Sequence, residues 1–259
     1  MPAPGPCDIL LHVAMLAEAR PLLDQFTLDS PSPLDSGLPA HVWRRSDGGP
    51  LALVVHGVDP VHACDRIGTE TATLVSHLAI RSLRPKLVIN AGTCGGFERR
   101  GATIGAIYVP SRYLFHDQRV DLPRFGDFAR GVIDADAPLA MGGTSAPTGD
   151  PRSSAAVAAA LGAARGTLAT GSSLDATSQD MALFDREGIV AKDMEGAAIA
   201  RVCRDLRTPL VAVKAVTDLV DHHADTAAQF VRNLSHATSR LSAALEQLLG
   251  SLAPGARVP

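Results

Sequence analysis

Short apolar runs alternate with stretches of helical periodicity along this chain, and the alternation constrains its fold more than any other feature. The apolar runs predict strands at residues 9–14, 51–56, 87–91, 106–115 and 210–216. Helical periodicity predicts a helix over residues 63–83 and another near the C-terminus, with Asp225 or Thr226 as its cap. Strands that alternate with helices form a parallel or mixed sheet covered by helices. The sequence therefore predicts an α/β fold.

The composition favours one large domain. The 259 residues are 46% hydrophobic and 20% charged, which is enough apolar material for a sizeable core. We expect a single domain over residues 8–250, with disordered tails at residues 1–7 and 253–259. Residues 134–152 are rich in Ala, Pro, Gly, Ser and Thr, a composition that predicts a flexible loop or insertion rather than a domain linker.

Charge and cysteine usage limit the classes of partner. A net charge of −3 without a basic run argues against nucleic acid or an anionic membrane and favours a small molecule. The N-terminus lacks the features of a signal peptide, and no stretch is apolar enough to span a bilayer, so we expect a cytoplasmic protein. The four cysteines lack zinc-site spacing, and His222 with His223 is more typical of a solvated loop, so we expect no metal.

Two acidic residues stand at the ends of buried elements. Glu195 follows a strand and opens an Ala-rich helix, and Asp218 comes just after the apolar run 210–216. Open α/β sheets bind ligands at the edge where strands end, so both carboxylates are expected at a ligand site.

A glycine-rich run and a third acid add to this pattern. Gly92, Gly95 and Gly96 follow the predicted strand 87–91 and predict a turn close to a ligand, with the Thr93 hydroxyl among its amides. Tight packing is the competing interpretation, because the run lacks the spacing of a Walker loop or a dinucleotide fingerprint. Glu18 lies in the first turn of a predicted helix, where a solvated side chain is the alternative to a site residue.

Taken in order, these motifs resemble the 5′-methylthioadenosine nucleosidases, members of the type I nucleoside phosphorylase superfamily. The resemblance extends from about residue 9 to about residue 249, and runs 90–97, 192–198 and 214–221 are most similar to the plant-type branch. It implies a single-domain, three-layer α/β/α sandwich around a central mixed sheet. The motifs that carry it are Ala14 and Met15 with Glu18, run 90–97, run 115–117, run 193–195, and Thr217 with Asp218.

The resemblance also implies an activity and roles for individual residues. The activity is hydrolysis of the N-glycosidic bond of 5′-methylthioadenosine, with S-adenosylhomocysteine as a further candidate substrate, through an oxocarbenium-like sugar. Asp218 would be the general acid that protonates adenine N7, Glu18 the base that orients water, and Glu195 the bidentate acceptor of the ribose hydroxyls. Other residues implied in substrate binding are Thr93, Gly95, Leu174, Asp175, Met194, Lys214, Thr217 and Phe230. No cofactor is implied, and a homodimer is expected.

Two positions bear on the choice of nucleophile and on the binding of the base. Superfamily phosphorylases bind phosphate through an arginine before the glycine-rich run, but this chain has Asn90 there, so water is favoured as nucleophile. Ser172 replaces the Asp that the family usually carries in its base-binding segment, which puts the support of that segment in doubt. A futalosine-type nucleosidase, a phosphorylase and a non-catalytic adenine-nucleoside binder remain as alternatives.

Three further side chains allow two interpretations each. His116 and Asp117 are read either as an oriented imidazole near the mouth of the site or as an ordinary hydrogen-bonded pair. Cys94 is either a reactive thiol or a small buried filler, and the second is favoured.

Overall fold

The computed structural model describes residues 6–252, apart from residues 36, 46, 48, 121, 147, 148, 223 and 224. Most of both predicted tails, residues 1–5 and 253–259, lies outside the described residues, as does His223. Cys7, which the sequence suggested as part of the N-terminal tail, is instead buried, and its backbone N–H donates to the carbonyl of Leu83 over 2.8 Å. The ordered domain therefore begins before residue 8.

One mixed sheet forms the centre of the described chain. The strands are β1 (Ile9–Val13), β2 (Ser32–Pro33), β3 (His41–Arg44), β4 (Leu51–Val55), β5 (Leu87–Gly96), β6 (Ile107–Phe115), β7 (Ile133–Asp134), β8 (Ala164–Thr170), β9 (Ile189–Asp193) and β10 (Leu210–Leu219). Their order in the sheet is β10-β6-β8-β9-β5-β1-β4-β3-β2, with β7 beside β6. Because β5 also pairs with β10, strands β10, β6, β8, β9 and β5 close into a ring, and β1 to β4 extend from it.

Helices cover both faces of the sheet. The α-helices are α1 (Leu16–Gln25), α2 (Thr69–Leu83), α3 (Ser154–Leu161), α4 (Ser178–Glu187), α5 (Gly196–Asp205) and α6 (Thr226–Leu252). One core contains side chains of α2 and α5, a second contains side chains of α1, α3 and α6, and a smaller third core includes Phe184 of α4. Strand β4 is buried on both sides, with Ala52 and Val54 in the first core and Leu53 and Val55 in the second. The predicted three-layer arrangement is confirmed.

Several predicted boundaries were wrong; strand β10, for example, continues past residue 216 to Leu219. Helix α2 begins at Thr69, not near residue 63, because Gly68 before it has φ +96° and ends the preceding irregular segment. Strand β5 continues to Gly96, so the glycine-rich run is the end of a strand rather than a turn. Its glycines pair with β10 and β9, and Gly95 lies where a side chain would collide with Asp218 and Val220.

Segment 134–152 connects β7 to α3. It contains a single turn of 3-10 helix, Leu139–Met141, and buries Thr144 and Ser145. Its flexibility stays a prediction. None of the helices in the described ranges combines the length and apolar character needed to cross a bilayer.

Candidate active site

A cavity of about 140 Å³ opens at the sheet edge where β1, β5, β9 and β10 end. All the residues that the sequence suggested for the site line this cavity, except Asp175 and Lys214. The lining residues are Ala14, Met15, Glu18, Ile67, Thr93, Cys94, Gly95, Leu174, Lys192, Asp193, Met194, Glu195, Thr217, Asp218, Val220 and Phe230. The cavity thus joins acids from elements that are distant in sequence.

Asp218 lies near the end of β10 and is buried. The Thr217 hydroxyl donates to its Oδ1 over 2.7 Å. Burial raises the pKa of the Asp218 carboxyl, although the Thr217 hydrogen bond and the Lys192 ammonium oppose the rise. A Cβ on Gly95 would approach Oδ2 to 2.7 Å, so glycine is what allows the carboxyl to occupy this place. The carboxyl group is therefore placed to hold and donate a proton.

Glu18 lies in the first turn of α1 and is held by three donors. Its Oε1 accepts hydrogen bonds from the backbone N–H and the hydroxyl of Thr93, each over 2.7 Å. Its Oε2 accepts from the N–H of Met15 over 3.2 Å. The donors come from the start of α1 and from β5, so the carboxylate is fixed between two elements. All three contacts use the carboxylate as a hydrogen-bond acceptor and hold it in one position at the cavity.

Glu195 is the N-cap residue of α5. The N–H of Gly68, from the segment before α2, donates to its Oε1 over 2.9 Å. Burial and the neighbouring Asp193 raise the pKa of Glu195 to about 7, and the Lys214 ammonium opposes the rise. Glu195 therefore changes its charge close to neutral pH.

Lys214 lies behind the cavity wall rather than in it. It is 1% exposed, and its Nζ is 2.8 Å from Oδ2 of Asp193. Burial alone would lower the pKa of Lys214, but Asp193 and Glu195 outweigh that effect and raise it. Asp193 also accepts from the Thr170 hydroxyl and the Gly196 N–H. Lys214 is thus a buried counter-ion to the acids of the site.

Lys192 supports the segment that carries Leu174. Its Nζ donates to the carbonyls of Ser173 and Leu174, the latter over 3.1 Å. Burial lowers the pKa of Lys192, opposed by Asp193 and Asp218. Leu174 is 44% exposed at the cavity wall, whereas Asp175 beside it is exposed and outside the lining.

Ser172 lies in the segment whose support the sequence put in doubt, and it is well anchored. Its N–H donates to Oδ2 of Asp117 over 2.9 Å, and its hydroxyl contacts Thr69 and Glu70 at the start of α2. His116 bonds through Nδ1 to Asp180 rather than to Asp117, and burial lowers its pKa. The doubt about support of this segment is therefore resolved by contacts that the sequence alone did not reveal.

Some residues that line the cavity were not predicted as site residues from the sequence. Lys192 and Asp193 belong with Glu195 to run 192–198, so their place in the sequence could have indicated that they line the cavity. Ile67 lies in an irregular segment, where no sequence pattern indicates a site residue. Burial raises the pKa of the Cys94 thiol, as expected for a filler rather than a nucleophile. Among residues whose positions are described, no group of three or more His, Cys, Asp or Glu could hold a metal ion.

The sequence of this chain matches a known protein family. The model of the phosphorylase superfamily matches residues 8–250, which is nearly the whole chain. The chain belongs to the phosphorylase superfamily.

Similar superfamily members come from Arabidopsis thaliana. A 5′-methylthioadenosine nucleosidase is 38% identical over 240 residues, covering 90% of this chain and 83% of the relative. A 5′-methylthioadenosine/S-adenosylhomocysteine nucleosidase is 31% identical over 246 residues, covering 93% of this chain and 90% of the relative. The solved apo structure of Arabidopsis 5′-methylthioadenosine nucleosidase aligns with a TM-score of 0.83 and 34% identity, covering 100% of this chain and 98% of that one.

Proposed function

We propose that this superfamily member hydrolyses the N-glycosidic bond of 5′-methylthioadenosine to adenine and 5-methylthioribose. The observation that carries the proposal is one cavity lined by Glu18, Glu195 and Asp218, whose carboxyls have three different environments. Departure of a purine from ribose needs a proton for the base, a nucleophile for the sugar and stabilisation of the charge that develops on the sugar. Three carboxyls in different environments can divide these tasks.

Asp218 is the proposed general acid. Its raised pKa keeps a proton on the carboxyl at higher pH than an exposed Asp could. It would donate that proton to N7 of adenine as the bond to C1′ breaks, so the base leaves neutral. The Thr217 hydroxyl fixes Oδ1 of Asp218, so Oδ2 is left to face N7 of adenine.

Glu18 is the proposed base, and Glu195 the proposed ribose anchor. Glu18 would accept a proton from the attacking water, with the Thr93 hydroxyl beside it. Ionised Glu195 would accept hydrogen bonds from the 2′ and 3′ hydroxyls, and its negative charge would favour the oxocarbenium-like sugar. Met194 would pack against the sugar, as a soft apolar side chain can on an irregular surface.

Water is the proposed nucleophile because the cavity is poor in available cations. Within the described lining, Lys192 is the one cationic side chain, beside four carboxyl groups, and it already donates to two backbone carbonyls. Lys214 is paired with Asp193 behind the wall. Asn90, where an arginine would favour phosphate, is buried and its amide donates to the carbonyl of His12. A phosphate dianion would meet repulsion here.

The apolar lining favours a methylthio group over a larger charged one. Met15, Ile67 and Phe230 line the same cavity as the acids. The homocysteine part of S-adenosylhomocysteine carries an ammonium and a carboxylate that need partners when buried, whereas a methylthio group needs none. We expect both nucleosides to be cleaved, with a higher kcat/KM for methylthioadenosine.

The proposal includes a cytoplasmic homodimer. Exposed apolar side chains stand near the cavity: Ile67 is 44% exposed, and Val231, next to Phe230, is 74% exposed. If a second copy buried this apolar surface, the hydrophobic effect would stabilise the dimer. The four cysteines are free, as is usual in a reducing compartment. Sedimentation velocity at micromolar concentration should show a dimer, and a monomer would contradict this part.

Product chromatography tests the proposed substrate. Purified protein is incubated separately with methylthioadenosine, S-adenosylhomocysteine and futalosine, and the released base is quantified. The proposal predicts the fastest release of adenine from methylthioadenosine. Preferential cleavage of futalosine, or binding of methylthioadenosine without any cleavage, would overturn it in favour of another nucleosidase or a non-catalytic binder.

A further inference from the structure

The N-terminus of α2 lacks a capping side chain of its own. Its N-cap residue is Gly68, which makes no side-chain hydrogen bond. The first backbone N–H groups of a helix have no partner within the helix, so they need acceptors from elsewhere. Here two distant side chains supply them: Glu195 accepts from the N–H of Gly68, and Ser172 accepts from the N–H of Thr69 over 3.2 Å.

Ser172 makes more contacts than a cap requires. Its Oγ lies 2.9 Å from the Thr69 hydroxyl and donates to Oε2 of Glu70 over 3.1 Å. Its own N–H is anchored on Asp117. One side chain thus joins the segment after β8 to the first turn of α2, about a hundred residues earlier in the chain.

Both of the joined segments contribute a residue to the cavity wall. Ile67 lines the cavity one residue before Gly68, and Leu174 lines it two residues after Ser172. Gly68 also orients the Glu195 carboxylate, which is buried in the site. A change in the contact between Ser172 and Thr69 would therefore be transmitted to Ile67, Leu174 and Glu195 together.

We propose that Ser172 is a positioning residue for nucleoside binding: it caps α2 from a distant segment and so helps to fix the positions of Leu174 and Glu195 in the cavity wall. The inference rests on the proposed function for its kinetic consequence. The coupling between residue 172 and the N–H of Gly68 does not depend on the proposed function, because it follows from the hydrogen bonds alone.

The test compares Ser172→Ala with a matched helix-cap variant, Ser153→Ala. Ser153 caps α3 through the N–H of Ala156, and α3 contributes no residue to the cavity lining. Loss of a cap changes an equilibrium by roughly 3- to 10-fold. Ser172→Ala should raise KM for methylthioadenosine by about that factor with kcat within about twofold, while Ser153→Ala keeps the KM of the unmodified enzyme. Ser172→Thr, which retains a hydroxyl, should restore KM.

Residue-resolved hydrogen exchange supplies a second measurement. In Ser172→Ala, the N–H groups of Thr69 and Gly68 should both exchange faster than in Ser153→Ala, because the cap and the Glu195 contact loosen together. An unchanged KM in Ser172→Ala, or faster exchange at Thr69 alone, would overturn the inference. If the unmodified enzyme released no adenine, the proposed function would fail separately, and exchange at Gly68 would still decide the coupling.

Discussion

At the scale of single residues, Asp218 combines burial with one hydroxyl donor, and the resulting rise in its pKa is what a general acid needs. Asp218→Asn keeps the shape and the Thr217 contact but has no acidic proton. We expect kcat to fall by about 10²- to 10⁴-fold with an unchanged thermal midpoint, measured by steady-state kinetics and circular dichroism. Turnover near that of the unmodified enzyme would remove Asp218 from the reaction.

Glu195 gives a pH-dependent prediction at the same scale. Its pKa of about 7 means that it gains a proton as pH falls through neutrality, and a protonated carboxyl loses the charge that binds two hydroxyls. In Asp218→Asn, which should cleave slowly enough for binding to be measured, the Kd for methylthioadenosine should rise from pH 8 to pH 5.5. The double variant with Glu195→Gln should bind more weakly with a flat pH profile. A flat profile in the variant that retains Glu195 would refute this assignment.

At this scale, most of the side chains that line the cavity could be predicted from the sequence, but the places of Asp175 and Lys214 could not. Glu195 and Asp218 are expected at the site because each stands at the end of a buried element, whereas the family resemblance is what assigns a role to Glu18. Lys214 was expected at the substrate, yet it lies behind the wall because Asp193 and the other acids stabilise its ammonium there. Contacts between distant segments, such as that of Ser172 with Thr69, leave no local pattern.

At the scale of elements, the end of β5 depends on the absence of side chains. A Cβ on Gly95 would lie 2.7 Å from Oδ2 of Asp218 and 2.6 Å from Val220. Gly95→Ala should displace the acid and lower kcat about 10- to 100-fold, since small misplacements of reacting groups are costly. Gly250→Ala in α6, where a Cβ meets no atom within 4 Å, should leave kcat unchanged. Equal kcat values in the two variants would show that the packing of Gly95 against Asp218 does not affect the reaction.

Apolar strands could be predicted from the sequence, but the glycine-rich end of β5 could not. Apolar strands such as β1 and β4 match the expected runs because burial on both faces demands continuous apolar residues. Glycine is rare in strands, so the run after residue 91 was interpreted as a turn. Its extended form depends on pairing with β9 and β10, which are distant in the chain.

At the scale of the whole molecule, stability should depend on pH through two buried histidines. Burial lowers the pKa of His56 to about 4 and that of His12 well below its ordinary value. The unfolded chain binds these protons near pH 6.5 and the folded chain does not, so stability is lost as pH falls from about 6.5 towards 4. His56→Gln should reduce this loss in urea melts, whereas His77→Gln, at an exposed position, should not. Identical pH dependence in both variants would contradict the account.

The central claim is that water, not phosphate, attacks the sugar in a carboxylate-rich cavity. The most direct measurement is the rate of adenine release from methylthioadenosine, with phosphate removed enzymatically and then restored to millimolar concentration. The account predicts equal rates and 5-methylthioribose as the sugar product in both conditions. Release that requires phosphate and yields a sugar phosphate would contradict it and assign the chain to the phosphorylases.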